Sequence, residues 1–169
     1  MRSTMMAMGR GRNPDRGGAE RSAYDRALGM LARREYSRRE LRMRLERAGC
    51  DEAESDSAIR KLREQNYQDD ERFGEMIVRA RVAQGYGPVR VQAELRSHRL
   101  ADAAIRVLID AAEVDWRALA AAQLRKKYGM RPAADAAGRA KRAAFLLRRG
   151  FGAATVRIVT HSAVGDPDD

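Results

Sequence analysis

The chain has 169 residues, 44% of them apolar and 34% charged, with a net charge of +10 and a pI near 10.5. That is enough apolar material for a packed core, and the charge balance points to a polyanionic partner or membrane surface, with a general bias toward arginine as the bland alternative. A single cysteine, Cys50, rules out an internal disulfide, and His98 and His161 lie too far apart for zinc-ligand spacing.

No apolar run approaches the roughly 18 residues of a membrane span. Met5, Met6 and Met8 are followed at once by Gly9, Arg10, Gly11 and Arg12, so no signal-peptide core is expected and the expected setting is the cytoplasm. Residues 1–21 read as a disordered basic tail, rich in glycine and arginine and without apolar periodicity.

From Ser22 the pattern is helical almost throughout. Tyr24, Ala27, Leu28 and Leu31 recur at spacings of three and four. Ser37 opens a second helix as a capping box with Glu40, Leu41 and Leu45 form its apolar stripe, and Gly49 stands where a left-handed C-cap belongs. Asp51 caps a third helix with Ile59 and Leu62 inward. Phe73, Met76, Ile77 and Ala80 then mark a fourth helix, begun by Asp69, Asp70 and Glu71. Gly85-Tyr86-Gly87-Pro88 breaks the chain, and Pro88 suits the first turn of a fifth helix with Val91 and Leu95 inward. Ala104, Ile105 and Leu108 line a sixth. Asp115 caps a seventh, with Trp116, Leu119, Ala120 and Leu124, ended by Tyr128-Gly129. After a loop around Pro132, an eighth runs through Lys141, Phe145 and Leu146 to Gly150, and a ninth carries Val156 and Val159. No strand is expected; the β-branched run 156–159 is the one place where helix competes with strand. Residues 163–169 read as frayed.

The pattern repeats. Tyr36 and Tyr86 are 50 residues apart, as are Leu45 and Leu95, and Leu146 follows after 51. Gly49, Arg99 and Gly150 each stand four residues beyond those leucines. The expected architecture is therefore all-α: three tandem three-helix repeats, 22–67, 68–114 and 115–162, forming an elongated curved array. Stacking of neighbours should extend one core through the array, a compact nine-helix globule being the alternative. The third unit is expected to have a longer first loop, and the first unit extra residues between its second and third helices.

Charge is uneven along the array. Residues 23–67 carry 11 basic and 9 acidic side chains, 68–115 carry 7 and 9, and 116–169 carry 11 and 4. The first and third units are thus the candidate polyanion contacts. In the first, Arg33, Arg34, Arg38, Arg39 and Arg42 cluster, with Arg38 and Arg42 one helical turn apart; a solvated face balanced by Glu35 and Glu40 is the plainer alternative. In the third stand Arg125, Lys126 and Lys127, whose place at a helix C-terminus is favourable in itself, and Lys141, Arg142, Arg148 and Arg149, with few acids nearby. No catalytic triad, metal set or phosphate-cradling GxxxxGK[ST] loop is present, so catalytic, cofactor and metal sites are all expected to be absent.

Four blocks carry a family resemblance. The stretch 31–45, LARREYSRRELRMRL, resembles the start of RecX-family regulatory proteins, and so does 66–73, NYQDDERF. The segment 85–95, GYGPVRVQAEL, looks like the family's most distinctive one, and 145–151, FLLRRGF, is similar to its C-terminal signature. The likeness spans roughly residues 23–160. It implies a non-enzymatic, monomeric regulator of recombination, repair and the SOS response. Such a protein lodges in the groove of the RecA–DNA filament or at its end and suppresses ATPase, strand-exchange and coprotease activities, touching single- or double-stranded DNA weakly and non-specifically. Arg99 departs from the family pattern, which has Gly there. A direct DNA-binding module of helix-turn-helix type is the competing reading.

Overall fold

The computed structural model describes residues 21–161, so the expectations for the basic tail and the C-terminal end lie outside the described residues. Among these residues there are nine helices and no strand: α1 Ala23–Leu31, α2 Arg38–Arg47, α3 Glu52–Glu64, α4 Asp70–Ala83, α5 Pro88–Ser97, α6 Asp102–Ala111, α7 Trp116–Tyr128, α8 Ala136–Arg148 and α9 Ala153–His161. The β-branched run at 156–159 is helical.

Side-chain caps start most of the helices. The oxygens of Ser22, Ser37, Asp51, Asp69, Asp115 and Asp135 accept from backbone N–H groups of the first turns of α1, α2, α3, α4, α7 and α8. Each such cap contributes about 1 kcal/mol. α5 starts instead on Gly87 with Pro88 in its first turn. The capping box at Ser37 is only half formed: Ser37 Oγ accepts from Glu40 N at 3.1 Å, but the Glu40 carboxylate turns to Arg34 (2.6 Å) and Arg44 (3.3 Å). Two guanidinium partners outcompete one neutral amide for a carboxylate.

The second helix of every unit ends in the same way. Gly49, Arg99 and Gly150 have φ of 89°, 63° and 84°. The next residue, Cys50, Leu100 or Phe151, donates its N–H back to the carbonyl of Leu45, Leu95 or Leu146 at 3.1, 3.3 and 3.1 Å. This is the Schellman closure, and the three leucines it anchors are fully buried. One spacing expectation fails. The second and third helices are separated by the same short turn in all units, 48–51, 98–101 and 149–152. The first unit's extra residues lie within α3, which has 13 residues against 10 in α6 and 9 in α9.

The main helix packing lies within the triplets α1–α3, α4–α6 and α7–α9, with only sparse helix contact between them. Each triplet has its own apolar cluster, centred on Leu41, Leu45 and Leu62; on Phe73, Val91 and Leu95; and on Leu124, Leu146 and Phe151. Burying each of these side chains contributes about 1.5–3 kcal/mol. The expectation of one core continuous through the whole array is not met: the first and second clusters share no residue, and only Trp116, among the described residues, packs against two clusters. Every hydrogen bond and ion pair between units, among the described residues, joins the middle unit to one neighbour.

The second joint is a backbone clasp. Gly87 N donates to Arg149 O at 2.9 Å, and Val89 N donates to Gly150 O at 3.0 Å. A Cβ on Gly87 would fall on the Gly150 carbonyl, so glycine is required by the approach. Trp116 packs against both the second and the third cluster and adds an apolar contact across this joint.

Candidate functional site

The first joint is polar. Ser37 Oγ lies 2.8 Å from His98 Nδ1, the buried Gln68 amide donates to Tyr36 O at 3.1 Å, and Arg72 pairs with Glu35 at 2.9 Å. Desolvation by burial holds His98 below the usual histidine pKa, against the pull of Glu40, Glu94 and Asp70 and with the push of Arg39. The neutral ring and the Ser37 hydroxyl then share one hydrogen bond at Nδ1.

Beside this joint opens a cleft of about 500 Å³ lined by Arg38, Arg39, Arg42 and Met43 of α2 and by His98 and Arg99 of the turn between α5 and α6. No carboxylate lines it. A second cleft of about 300 Å³ shares Arg38 and Arg42 and continues past Arg60 and Arg63 of α3. The cations of the first unit differ in how far they are committed. Arg34 is bound to Glu40 and stacks 3.7 Å over the Tyr36 ring. Arg38 reaches Asp70 at 3.8 Å, and Arg42 pairs with Asp56 and, at 3.5 Å, with Glu52. These pairs are half-exposed and of the kind that contributes little. Arg39 donates to the Ser97 carbonyl, and Arg33 is exposed with no carboxylate partner among the described residues.

The third unit is different. Residues 116–161 carry 11 basic side chains and one acid, Asp135, which is the N-cap of α8. Among the described residues every ion pair lies in the first two units. Arg125, Lys126, Lys141 and Arg148 are exposed and have no ion-pair partner among the described residues, and Lys127 stands 4.3 Å over the Phe145 ring. Two of the expected contact residues are turned inward. Arg142 donates to Arg131 O at 2.7 Å, while Arg149 donates to Gln84 O and Gly85 O at 3.0 and 3.2 Å and sits 5.1 Å over Tyr86. Arg149 thus holds the second joint. Between α7 and α9, Arg117, Arg125, Arg131 and Arg142 rim a cleft of about 600 Å³ with Met130 and Ile158 among its apolar lining.

Three family models cover the chain in register with the triplets: RecX first three-helix domain at residues 23–62, second at 69–107 and third at 113–160. The chain belongs to the RecX family. A regulatory protein RecX of Stenotrophomonas maltophilia is 42% identical over 161 residues, spanning 95% of this chain and 94% of that protein. Another, of Acidithiobacillus ferrooxidans, is 47% identical over 133 residues, or 79% and 85% of the two chains. The crystal structure of RecX from Lactobacillus salivarius superposes with a TM-score of 0.68 at 19% identity, covering 83% of this chain and 94% of that one, a likeness of fold.

RecX membership gives this chain a regulatory role, and it shifts attention to residues that charge counting missed. Arg99 was legible as a departure from the repeat's glycine but not as a wall of a cleft. Arg60 and Arg63 were hidden because the acids of α2 and α3 balance them in any local sum. Arg117, Arg131 and Met130 gave no signal, because only the packing of α7 on α9 gathers them around one opening.

Proposed function

We propose that this chain is a non-enzymatic negative regulator of RecA. It binds the RecA–DNA filament, in its groove or at its end, and depresses its ATPase, strand-exchange and coprotease activities. The observation that carries this reading is the row of three triplets whose terminal unit presents unpaired cations, on a chain of the RecX family. A row of small cores offers length rather than a deep pocket, and length suits a polymer. Inhibition then requires only that the protein bind one filament state more tightly than another. The contact residues of this proposal are Arg33, Arg38, Arg39, Arg42, Arg125, Lys126, Lys127, Lys141 and Arg148, with Arg34, Arg142 and Arg149 shaping the surfaces that carry them. The protein acts as a monomer in the cytoplasm and meets DNA weakly and without sequence preference.

The test is ATP hydrolysis by RecA on single-stranded DNA with this protein added below stoichiometry. A slowed rate with shortened or capped filaments in electron micrographs is expected. An unchanged rate and unchanged filaments would overturn the reading. Tight, sequence-specific binding to naked DNA without RecA would favour the helix-turn-helix alternative instead.

A further inference from the structure

We propose that the cleft at the first joint is a binding site for the phosphate groups of a nucleic-acid strand, completed by Arg99. The inference deepens the polyanion-contact reading of the first unit, but its test contains no recombinase, so the two can fail separately.

The first observation is the lining. Arg38, Arg39, Arg42 and Arg99 converge on one opening that no carboxylate enters, across the junction of two units. Guanidinium groups fork onto phosphate oxygens. Asp70 holds Arg38, and Asp56 and Glu52 hold Arg42, from outside the opening, while Arg39 and Arg99 have no carboxylate partner among the described residues. The second observation is strain. Arg99 holds φ at 63° at the very place where the other two units have Gly49 and Gly150. A left-handed backbone is costly for a side chain with a Cβ, and the repeat itself shows that glycine closes the same turn. Arg99 makes no ion pair or side-chain hydrogen bond among the described residues that would compensate. What the strained residue does provide is a cation on the wall of the cleft. Asn66 and Glu113 also have positive φ just after helices, so what sets Arg99 apart is that a charged side chain replaces the glycine of the equivalent turns and stands on the cleft.

The third observation favours a strand over an isolated anion. The adjoining cleft shares Arg38 and Arg42 and leads on to Arg60 and Arg63, so the basic surface is a track. Asp56 stands in that second cleft and holds Arg42, in a pair exposed enough for a phosphate to replace it. Consecutive phosphates of one strand could occupy the two clefts in turn, with Met43 offering a sugar an apolar floor.

The experiment titrates the full chain with a fluorescein-labelled oligo-dT, with tripolyphosphate and with a polyglutamate peptide, at several salt concentrations. Resonances of Met43, His98 and Arg99 are followed by NMR. Expected is oligonucleotide binding with shifts centred on those residues. Arg99→Gly should weaken it about tenfold and lower the salt slope by about one. The melting temperature of that variant should equal or exceed the parent's, because the strain is relieved. Arg99→Lys, which keeps charge and strain, should retain most of the affinity, and Arg79→Gln on the middle unit should change nothing. Unchanged affinity and slope in Arg99→Gly would overturn the proposal, as would shifts centred away from the cleft. Tighter binding of polyglutamate would assign the cleft to an acidic protein surface, and binding of tripolyphosphate alone would assign it to a free polyphosphate; either overturns the nucleic-acid site.

Discussion

Ser37 serves His98 and its own helix with one hydroxyl: Oγ accepts the Glu40 N–H at 3.1 Å and sits 2.8 Å from His98 Nδ1, on the next unit. The N-cap of α2 is thereby also a pin of the first joint. Ser37→Ala should cost about 1–2 kcal/mol, more than an isolated cap, since it also leaves a part-buried ring nitrogen without its partner. Urea denaturation would measure it, and Ser37→Thr should recover much of the loss.

His98 makes stability depend on pH. Burial lowers its pKa in the folded state, while Glu40, Glu94 and Asp70 raise it and Arg39 lowers it further. Above the unfolded-state value of about 6.5 both states are neutral at this ring and its stabilisation is fully present. As pH falls through that value the unfolded chain takes up a proton that the folded ring resists, so stability is lost between there and the lower folded pKa. Urea midpoints of the parent and of His98→Gln, compared at about pH 7.5 and about pH 5.5, should show the larger acid loss in the parent. An equal loss would remove His98 from the account.

Gly87→Ala should open the second joint. The added methyl meets the Gly150 carbonyl and breaks the approach that lets Gly87 and Val89 donate to residues 149 and 150. A cost of about 1–3 kcal/mol is expected, with faster hydrogen exchange at the Gly87 and Val89 amides and little change within α1–α3.

Leu95→Ala tests whether the cores are separate. The side chain is fully buried, and its loss should cost about 2–5 kcal/mol. Hydrogen exchange should accelerate across α4–α6 well before α1–α3, because the two triplets share no apolar cluster. Uniform acceleration would mean that the array opens as one body.

Replacing Lys126, Lys141 and Arg148 by Gln should weaken inhibition of RecA by about tenfold or more under low salt. The same change at Arg79, Arg96 and Arg106 of the middle unit should do little. Sub-stoichiometric inhibition curves measure both, and equal losses would count against the third unit as the contact.

The fold was legible because each helix announces its start and stop locally. Serine and aspartate caps, Pro88 in the first turn of α5 and the left-handed closures at Gly49 and Gly150 are written in single residues. The spacing of Leu45, Leu95 and Leu146 then showed the repeat. The joints were not legible. That Gln68 reaches Tyr36, or Arg149 the Gln84 carbonyl, depends on how triplets sit against each other, and periodicity says nothing about that. Charge counting cannot separate a cation that stacks on Tyr36, as Arg34 does, from one left facing water, as Lys141 is.

The two junctions are built from unlike materials. One relies on side-chain hydrogen bonds and ion pairs; the other adds main-chain bonds and an indole shared by neighbouring interiors to the Arg149 side chain. Deformation is expected to concentrate at the former, with α4–α9 moving as a single lever and α1–α3 swinging from its end. Residual dipolar couplings fitted separately to the two parts would reveal that motion as unequal alignment, whereas one common tensor would show the lever and arm to be fused. A molecule jointed in this manner can follow a winding track whose pitch varies without exposing any of its oily centres.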